Sequence, residues 1–317
     1  MEKLKQQFLE VSDALELGNP AIIEKDYWVV ALLAELAKVS PVHHQMVFSG
    51  GTALAKSNVK ILRMSEDVDI KLIPKPAFEE LSRAQKKAAR KVCINEIEQA
   101  ITQSERFTVE ARLVRDEYRY IELELRYPQQ FSQAPCLRPI IKLELMETIP
   151  LLDVEPRSIQ SLVAELYKQP QEVKAFDCVS IHATLVEKVI SMLRRTMSVK
   201  RSAERKDDAT LVRHIYDVYC ILKTEGQKES LDLKALTPLF KTVLEEDIER
   251  FGNQHAEFVY NPKQELQLGL KELEENPVFR QRFQDFVTPM VFNTEPHDFD
   301  TCFASFRSVA EKLISTI

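Results

Sequence analysis

The stretch Phe48–Leu72, FSGGTALAKSNVKILRMSEDVDIKL, decides the fold of this 317-residue chain. An apolar run (Met46, Val47, Phe48) leads into the paired glycines Gly50 and Gly51, and a helix-compatible segment opens at Thr52. That order predicts a strand, a tight turn and a helix N-terminus. Adjacent glycines let the backbone approach a ligand with no Cβ in the way, and the first N–H groups of a helix attract phosphate oxygens. Further on, Asp67 and Asp69 alternate with Val68 and Ile70, and period two puts both carboxylates on one face of a strand. Two hard oxygen donors near a phosphate-binding turn suit Mg²⁺, which shares carboxylates with substrate phosphates.

Each half has a plainer reading. The acids alone would be a solvated strand end and the glycines alone an ordinary turn. Together, in this order, they favour nucleotidyl transfer, because one substrate could engage both. The turn is not a Walker A loop, since no GKS or GKT follows.

Outward from this stretch, Phe107 to Val114, Tyr118 to Tyr127 and Arg138 to Met146 read as strands of a mixed or antiparallel sheet. In IIKLELM, Ile141, Leu143 and Leu145 share one face while Lys142 and Glu144 share the other, so Glu144 is placed to join Asp67 and Asp69. Glu122 and Glu124 compete for that place. Upstream, helices are expected over Glu2 to about Leu17 and about Pro20 to Val39. In the second, Lys25 and Asp26 read as surface charges beside the core aromatics Tyr27 and Trp28. Pro76 to about Gln103 reads as one helix with a solvated basic face from Arg83, Lys86, Lys87, Arg90 and Lys91. His43-His44 falls in a loop.

The segment from Leu151 to Cys178, with one short helix over Ser158 to Tyr167, looks like a junction. Beyond it the chain reads as helices: Ile181 to Met197, Ala209 to Lys223, Leu231 to Arg250, Lys263 to Asn276, Pro277 to Val287 and Asp298 to Ile317. The division expected is 1–180 and 181–317. From Glu187 to Lys206 there are seven basic against two acidic residues, in a chain of net charge −6. That contrast favours a local polyanion contact and argues against a protein coating nucleic acid over its whole surface.

The 44% hydrophobic composition supports a substantial core. No stretch has the make-up of a signal peptide or a membrane span, so a cytoplasmic protein is expected. The five cysteines are odd in number and scattered with no C-x-x-C pair, which reads as reduced packing residues.

The central stretch resembles the signature of the DNA polymerase β-like nucleotidyltransferase superfamily, and within it the AbiEii/AbiGii toxin family, where GGTAL precedes R-x-S-E-D-hydrophobic-D. Gly50, Gly51, Thr52, Ala53, Leu54 and Lys56 match, as do Arg63, Ser65, Glu66, Asp67 and Asp69. Ile22 to Val29 resembles the family's opening helix. Glu187-Lys188-Val189 and Tyr216-Asp217-Val218-Tyr219 match two later helices. The gap between glycines and aspartates is longer than in many superfamily members, which leaves the loop Ser57 to Met64 open.

The resemblance implies an α+β fold: a polymerase β-like mixed sheet with flanking helices, followed by an α-helical domain packed against it, with the cleft between them. It implies Mg²⁺ held by Asp67 and Asp69, with Glu144 as a third carboxylate. Gly50, Gly51, Thr52 and Ser65 would bind the NTP. Lys188, with Lys56 and Arg63, would neutralise its phosphates, and Asp217 would orient the acceptor or act as base. It further implies a toxin of a toxin–antitoxin or phage-defence pair, an RNA acceptor such as the tRNA 3′ end, and a separately encoded antitoxin. The alternatives are transfer to a small molecule or a protein, and a catalytically idle nucleotide-binding module.

Overall fold

The computed structural model describes residues 2–317 except 58, 60, 133–136, 149–152, 203, 227–232 and 292–296. The chain divides into two compact units, Met1–Ser57 with Met64–Val179, and Asn58–Arg63 with Ser180–Ile317. Among the described residues no helix is long and apolar enough to cross a membrane.

The first unit is built on a seven-stranded mixed sheet. Its strands are β1 (His44–Ser49), β2 (Val68–Pro74), β3 (Thr108–Arg115), β4 (Tyr120–Arg126), β5 (Ile141–Glu147), β6 (Val154–Ile159) and β7 (Val173–Val179), in the order β3-β4-β5-β2-β1-β7-β6. The β2–β5 and β1–β7 pairs are parallel and the others antiparallel. Period-two alternation decides which face is buried. Phe48, Ile70, Ile121, Leu123, Leu143 and Leu145 form one core with Trp28 and Leu32 of α2 (Pro20–Leu36) and with Ile94, Ile97 and Ile101 of a long helix, Arg83–Gln103. The facing row carries Asp69, Lys142, Glu144 and Glu122, all part-exposed. α1 (Glu2–Ala14) adds a smaller cluster of Phe8 and Val11 against Ile23 and Val163.

Several expectations are corrected. The helix read over Pro76–Gln103 is a short turn, Pro76–Glu79, followed by the long helix, because Ser82 and Gln85 close a capping box that starts a new helix there. Arg90 is not solvated: it is buried and forks onto Glu147 with two 2.7 Å bonds. His44 opens β1 rather than sitting in a loop, and its buried ring lies 2.9 Å from Glu147. The junction holds two strands, β6 and β7, besides a short helix, Leu162–Leu166, capped by Ser161. Four cysteines, Cys93, Cys178, Cys220 and Cys302, are free and buried, and Cys136 lies outside the described residues.

The second unit is helical. Its longest helix, Ile181–Arg201, is capped by Ser180 and buries Leu185, Val186, Val189, Ile190 and Leu193. Around it lie Arg213–Gly226, Leu233–Phe251, Pro262–Glu275, Val278–Met290 and Phe299–Ile314. A single 3₁₀ turn over Ala209–Val212 precedes the helix that carries Asp217. Residue 231, where one helix was expected to start, lies outside the described residues.

Candidate active site

β1 ends at Ser49, and a six-residue helix, Gly50–Ala55, starts without a side-chain cap. The Ser49 hydroxyl is turned instead toward the neighbouring strand, where it donates to the Asp69 carbonyl at 3.1 Å. Gly50 sits at φ +78°, in the region that side chains avoid, and a Cβ built on it would stand 2.0 Å from Asp69 Oδ2. Backbone shape and close approach both require glycine here. The turn therefore delivers the Asp69 carboxylate directly onto the start of the helix.

Thr52 locks the other aspartate. Its hydroxyl, 1% exposed, donates to the Asp67 carbonyl and lies 2.9 Å from the Ser65 hydroxyl. One hydroxyl carries one proton, so Ser65 is the donor to Thr52. The Thr52 side chain thus faces inward, and what it can offer a phosphate is its backbone N–H.

Two charges that sequence reading left on the surface are buried here. Lys25 is fully buried: it donates to the carbonyls of Arg138 (2.9 Å) and Ile140 and lies 3.3 Å from Glu66. Burial pushes its ammonium down, opposed by the Glu66 charge. Asp26 accepts from Lys56 and from the Leu162 backbone N–H at 2.7 Å. The Lys56 ammonium, expected on a phosphate, is therefore engaged within the fold, where it also donates to the Gln160 carbonyl at 3.2 Å. Arg138 completes the group: its backbone N–H donates to Glu66 (2.9 Å) and its guanidinium to Asp67 Oδ1 (2.7 Å). Arg138 was missed as a residue in contact with these carboxylates, and Lys25 and Asp26 read as surface charges, with a role in shaping the site implied only by the family resemblance. The signal available was the run EKDYW inside the family-like opening helix.

The donor set fits a divalent cation. Asp69 in β2 and Asp67, the residue just before that strand, are two hard, part-exposed carboxylates, the number Mg²⁺ takes when substrate phosphates supply further ligands. Glu144 lies directly across the β2–β5 ladder from Asp69, and Glu122 directly across from Glu144. Each strand step is about 4.8 Å, which puts Glu144 nearer to Asp69 than Glu122; Glu124, opposite Lys142, belongs to the next row. Lys142 pairs with Glu144 and, at 3.1 Å, with Glu122. Among the described residues no group of three or more His, Cys, Asp or Glu is arranged to hold a metal.

Three other candidates meet in the second unit. Asp217 is fully buried, takes a two-bond fork from Arg63 (2.6 and 2.7 Å), and lies 2.7 Å from Lys188. Burial draws the Asp217 carboxyl upward, but Arg63 and then Lys188 outweigh it and hold it well below the usual range. The place of Asp217 in the second unit is that of a buried counter-charge shared by two cations. Lys188 is pushed down by burial, against the Asp217 charge. Burial, then Lys188 and Arg213, also push His214 well down. Arg63, expected on phosphates, is instead the fixed partner of Asp217.

The basic run is largely paired. Arg194 is buried against Asp247 (2.6 Å) and stacks on Phe251. Arg195 meets Asp208 at 2.9 Å, Lys200 meets Glu272, and Arg201 meets Glu265 at 2.5 Å. Arg205 donates to Gln254, at its side chain and carbonyl. The helix charge that looked unmatched in sequence is matched by acids elsewhere in the chain, on other helices for Arg194, Lys200 and Arg201 and at a helix cap for Arg195.

Residues 31–305 match a family model described as nucleotidyl transferase AbiEii toxin, type IV TA system. No curated protein matches the chain. Among solved structures it is similar to MenT4, a nucleotidyltransferase toxin from Mycobacterium tuberculosis H37Rv, at 20% identity over 69% of this chain and 72% of that one, with a TM-score of 0.42. So low a score carries no argument, and the family match is what bears on this chain.

Proposed function

The chain belongs to the nucleotidyl transferase AbiEii toxin family of type IV toxin–antitoxin systems, and from that premise we propose that it transfers a nucleoside monophosphate from an NTP to an RNA acceptor, the tRNA 3′ end, with Mg²⁺ held by Asp67 and Asp69. The observation that supports this reading best is the close approach of the Asp69 carboxylate to Gly50. It supports the reading because the oxygen proposed to bind metal lies beside the backbone turn proposed to receive phosphates.

In this mechanism the Gly50, Gly51 and Thr52 backbone faces the triphosphate. The buried Thr52 hydroxyl and the half-buried Ser65 hydroxyl hold the helix to the segment that leads into β2, so neither element reorganises as charge develops. Asp67 and Asp69 would hold Mg²⁺, which would supply charge neutralisation for the phosphates and a lower pKa for the acceptor hydroxyl. Glu144 is proposed as an auxiliary carboxylate, and Lys188, held by Asp217, as a cation for the phosphates. Catalysis is positioning and electrostatics. The setting proposed is the cytoplasm, with a separately encoded antitoxin as partner.

A second reading, transfer to a small molecule or a protein, is favoured by the pairing of Arg194, Arg195, Lys200 and Arg201, which lowers the charge available to an RNA backbone. Retention of both aspartates counts against an idle module. The experiment is incubation of labelled NTPs and Mg²⁺ with total RNA, using wild type and the Asp67→Asn and Asp69→Asn variants. Label in an RNA band with wild type alone supports the proposal. Label that appears only outside RNA moves the reading to the second acceptor class, and equal transfer by the variants removes the metal assignment.

A further inference from the structure

Arg138 stands immediately before β5, and its backbone is held at both polar atoms: the N–H donates to Glu66 at 2.9 Å and the carbonyl accepts from buried Lys25 at 2.9 Å. Its side chain, by contrast, is 46% exposed, with the guanidinium 2.7 Å from Asp67 Oδ1 and 3.7 Å from Glu66. A fixed backbone with an exposed head is the arrangement of a side chain that can exchange partners. The partner it holds is one of the two carboxylates assigned to the metal, and a cation at that oxygen offsets the repulsion between Asp67 and Asp69.

We propose that Arg138 is a tethered counter-ion that occupies Asp67 before metal binds and then passes to the phosphates of the incoming nucleotide. The inference rests on the reading of Asp67 and Asp69 as the metal pair. A divalent cation at Asp67 competes with the guanidinium for Oδ1 and repels it. The released head stays close by because its backbone anchors do not involve Asp67. A triphosphate arriving with the metal supplies anionic oxygens that match the guanidinium's forked donors. No covalent step is involved; one ion pair is exchanged for another.

The two halves of the exchange have opposite signs, which a loss of fold cannot imitate. Mn²⁺ binding without nucleotide is measured by electron paramagnetic resonance for wild type, Arg138→Gln, Arg138→Lys and Asp67→Asn. Binding of each of the four non-hydrolysable NTP analogues is then measured by calorimetry in saturating Mn²⁺. Arg138→Gln removes a part-exposed ion pair and is expected to bind Mn²⁺ about fivefold more tightly. It is expected to bind the preferred analogue about tenfold more weakly, the worth of a charge-assisted contact. Arg138→Lys restores both partly. Unchanged or weaker Mn²⁺ binding by Arg138→Gln, with Asp67→Asn unable to bind, overturns the counter-ion role and leaves the metal pair standing. Tighter Mn²⁺ binding with unchanged analogue binding overturns the transfer to phosphate. Wild-type Mn²⁺ binding by Asp67→Asn overturns the metal reading and the inference with it.

Discussion

The Asp69 carboxylate occupies the space that a side chain on Gly50 would need, with Oδ2 only 2.0 Å from the position of a Cβ. Gly50→Ala must therefore either displace Asp69 or unwind the turn. The positive φ alone costs about 1–2 kcal/mol in a residue with a Cβ. The expected outcome is a lower melting temperature with transfer reduced at least about a hundredfold, the scale of a misplaced catalytic group. A well-folded Gly50→Ala protein with normal turnover would contradict the close approach.

Lys25 ties the Glu66–Asp67 segment to the start of β5 through two carbonyls and one carboxylate. Lys25→Met keeps the volume and removes every one of those bonds. Removing one partner of a buried pair costs about 3–5 kcal/mol, and Glu66 retains part of its compensation from Arg138, so a loss near about 3 kcal/mol is expected. Urea titration measures it; a change below about 1 kcal/mol would show that the lysine is not holding the segment.

In the second unit, two cations share one buried carboxylate, and the two truncations should differ. Asp217→Asn leaves Arg63 and Lys188 facing each other without a counter-charge, whereas Lys188→Met leaves the two-bond Arg63–Asp217 pair intact. Unfolding titrations should find Asp217→Asn worse by about 2 kcal/mol or more. Equal effects would mean that Lys188 matters to the charge balance as much as Arg63.

Glu147 gives a pH dependence of defined sign. Burial raises its carboxyl, but the His44 and Arg90 bonds outweigh that and lower it from 4.5 to about 2. Between those values the unfolded chain binds the proton and the folded protein does not, so stability rises with pH there. The contribution is complete above about 4.5 and is lost as pH falls toward 2. Glu147→Gln should lower stability at pH 7 and flatten this acid limb, measured as melting temperature against pH. An unaltered limb would assign it to other carboxylates.

These residues also show where sequence reading succeeds and where it stops. IIKLELM declared its strand, its buried face and the position of Glu144, because alternation is a local property. The glycine turn and the place of Asp69 across from Glu144 were legible from equally local signals. β6 and β7 were not: Pro156 interrupts one, and their pairing with each other and with β1 is a tertiary fact. Lys25 and Arg90 were read as solvated since a charge on an amphipathic helix looks alike whether it meets water or a carboxylate. Their partners lie 113 and 57 residues away. The basic run failed likewise, since Arg194, Lys200 and Arg201 are answered by acids from other helices and Arg195 by Asp208.

The pairing of Arg63 with Asp217 spans 154 residues. At translation rates of about 5–20 residues per second, the arginine would leave the ribosome roughly 8 to 30 seconds before its partner is made. During that interval the first unit can assemble its sheet on either side of a segment that belongs to the second. Completion of the helical unit is then a late event, and any fragment beginning at Ser180 would carry Asp217 without its arginine. Supplying a peptide that contains Arg63 to such a fragment should raise its helical content, as complementation of a split protein does.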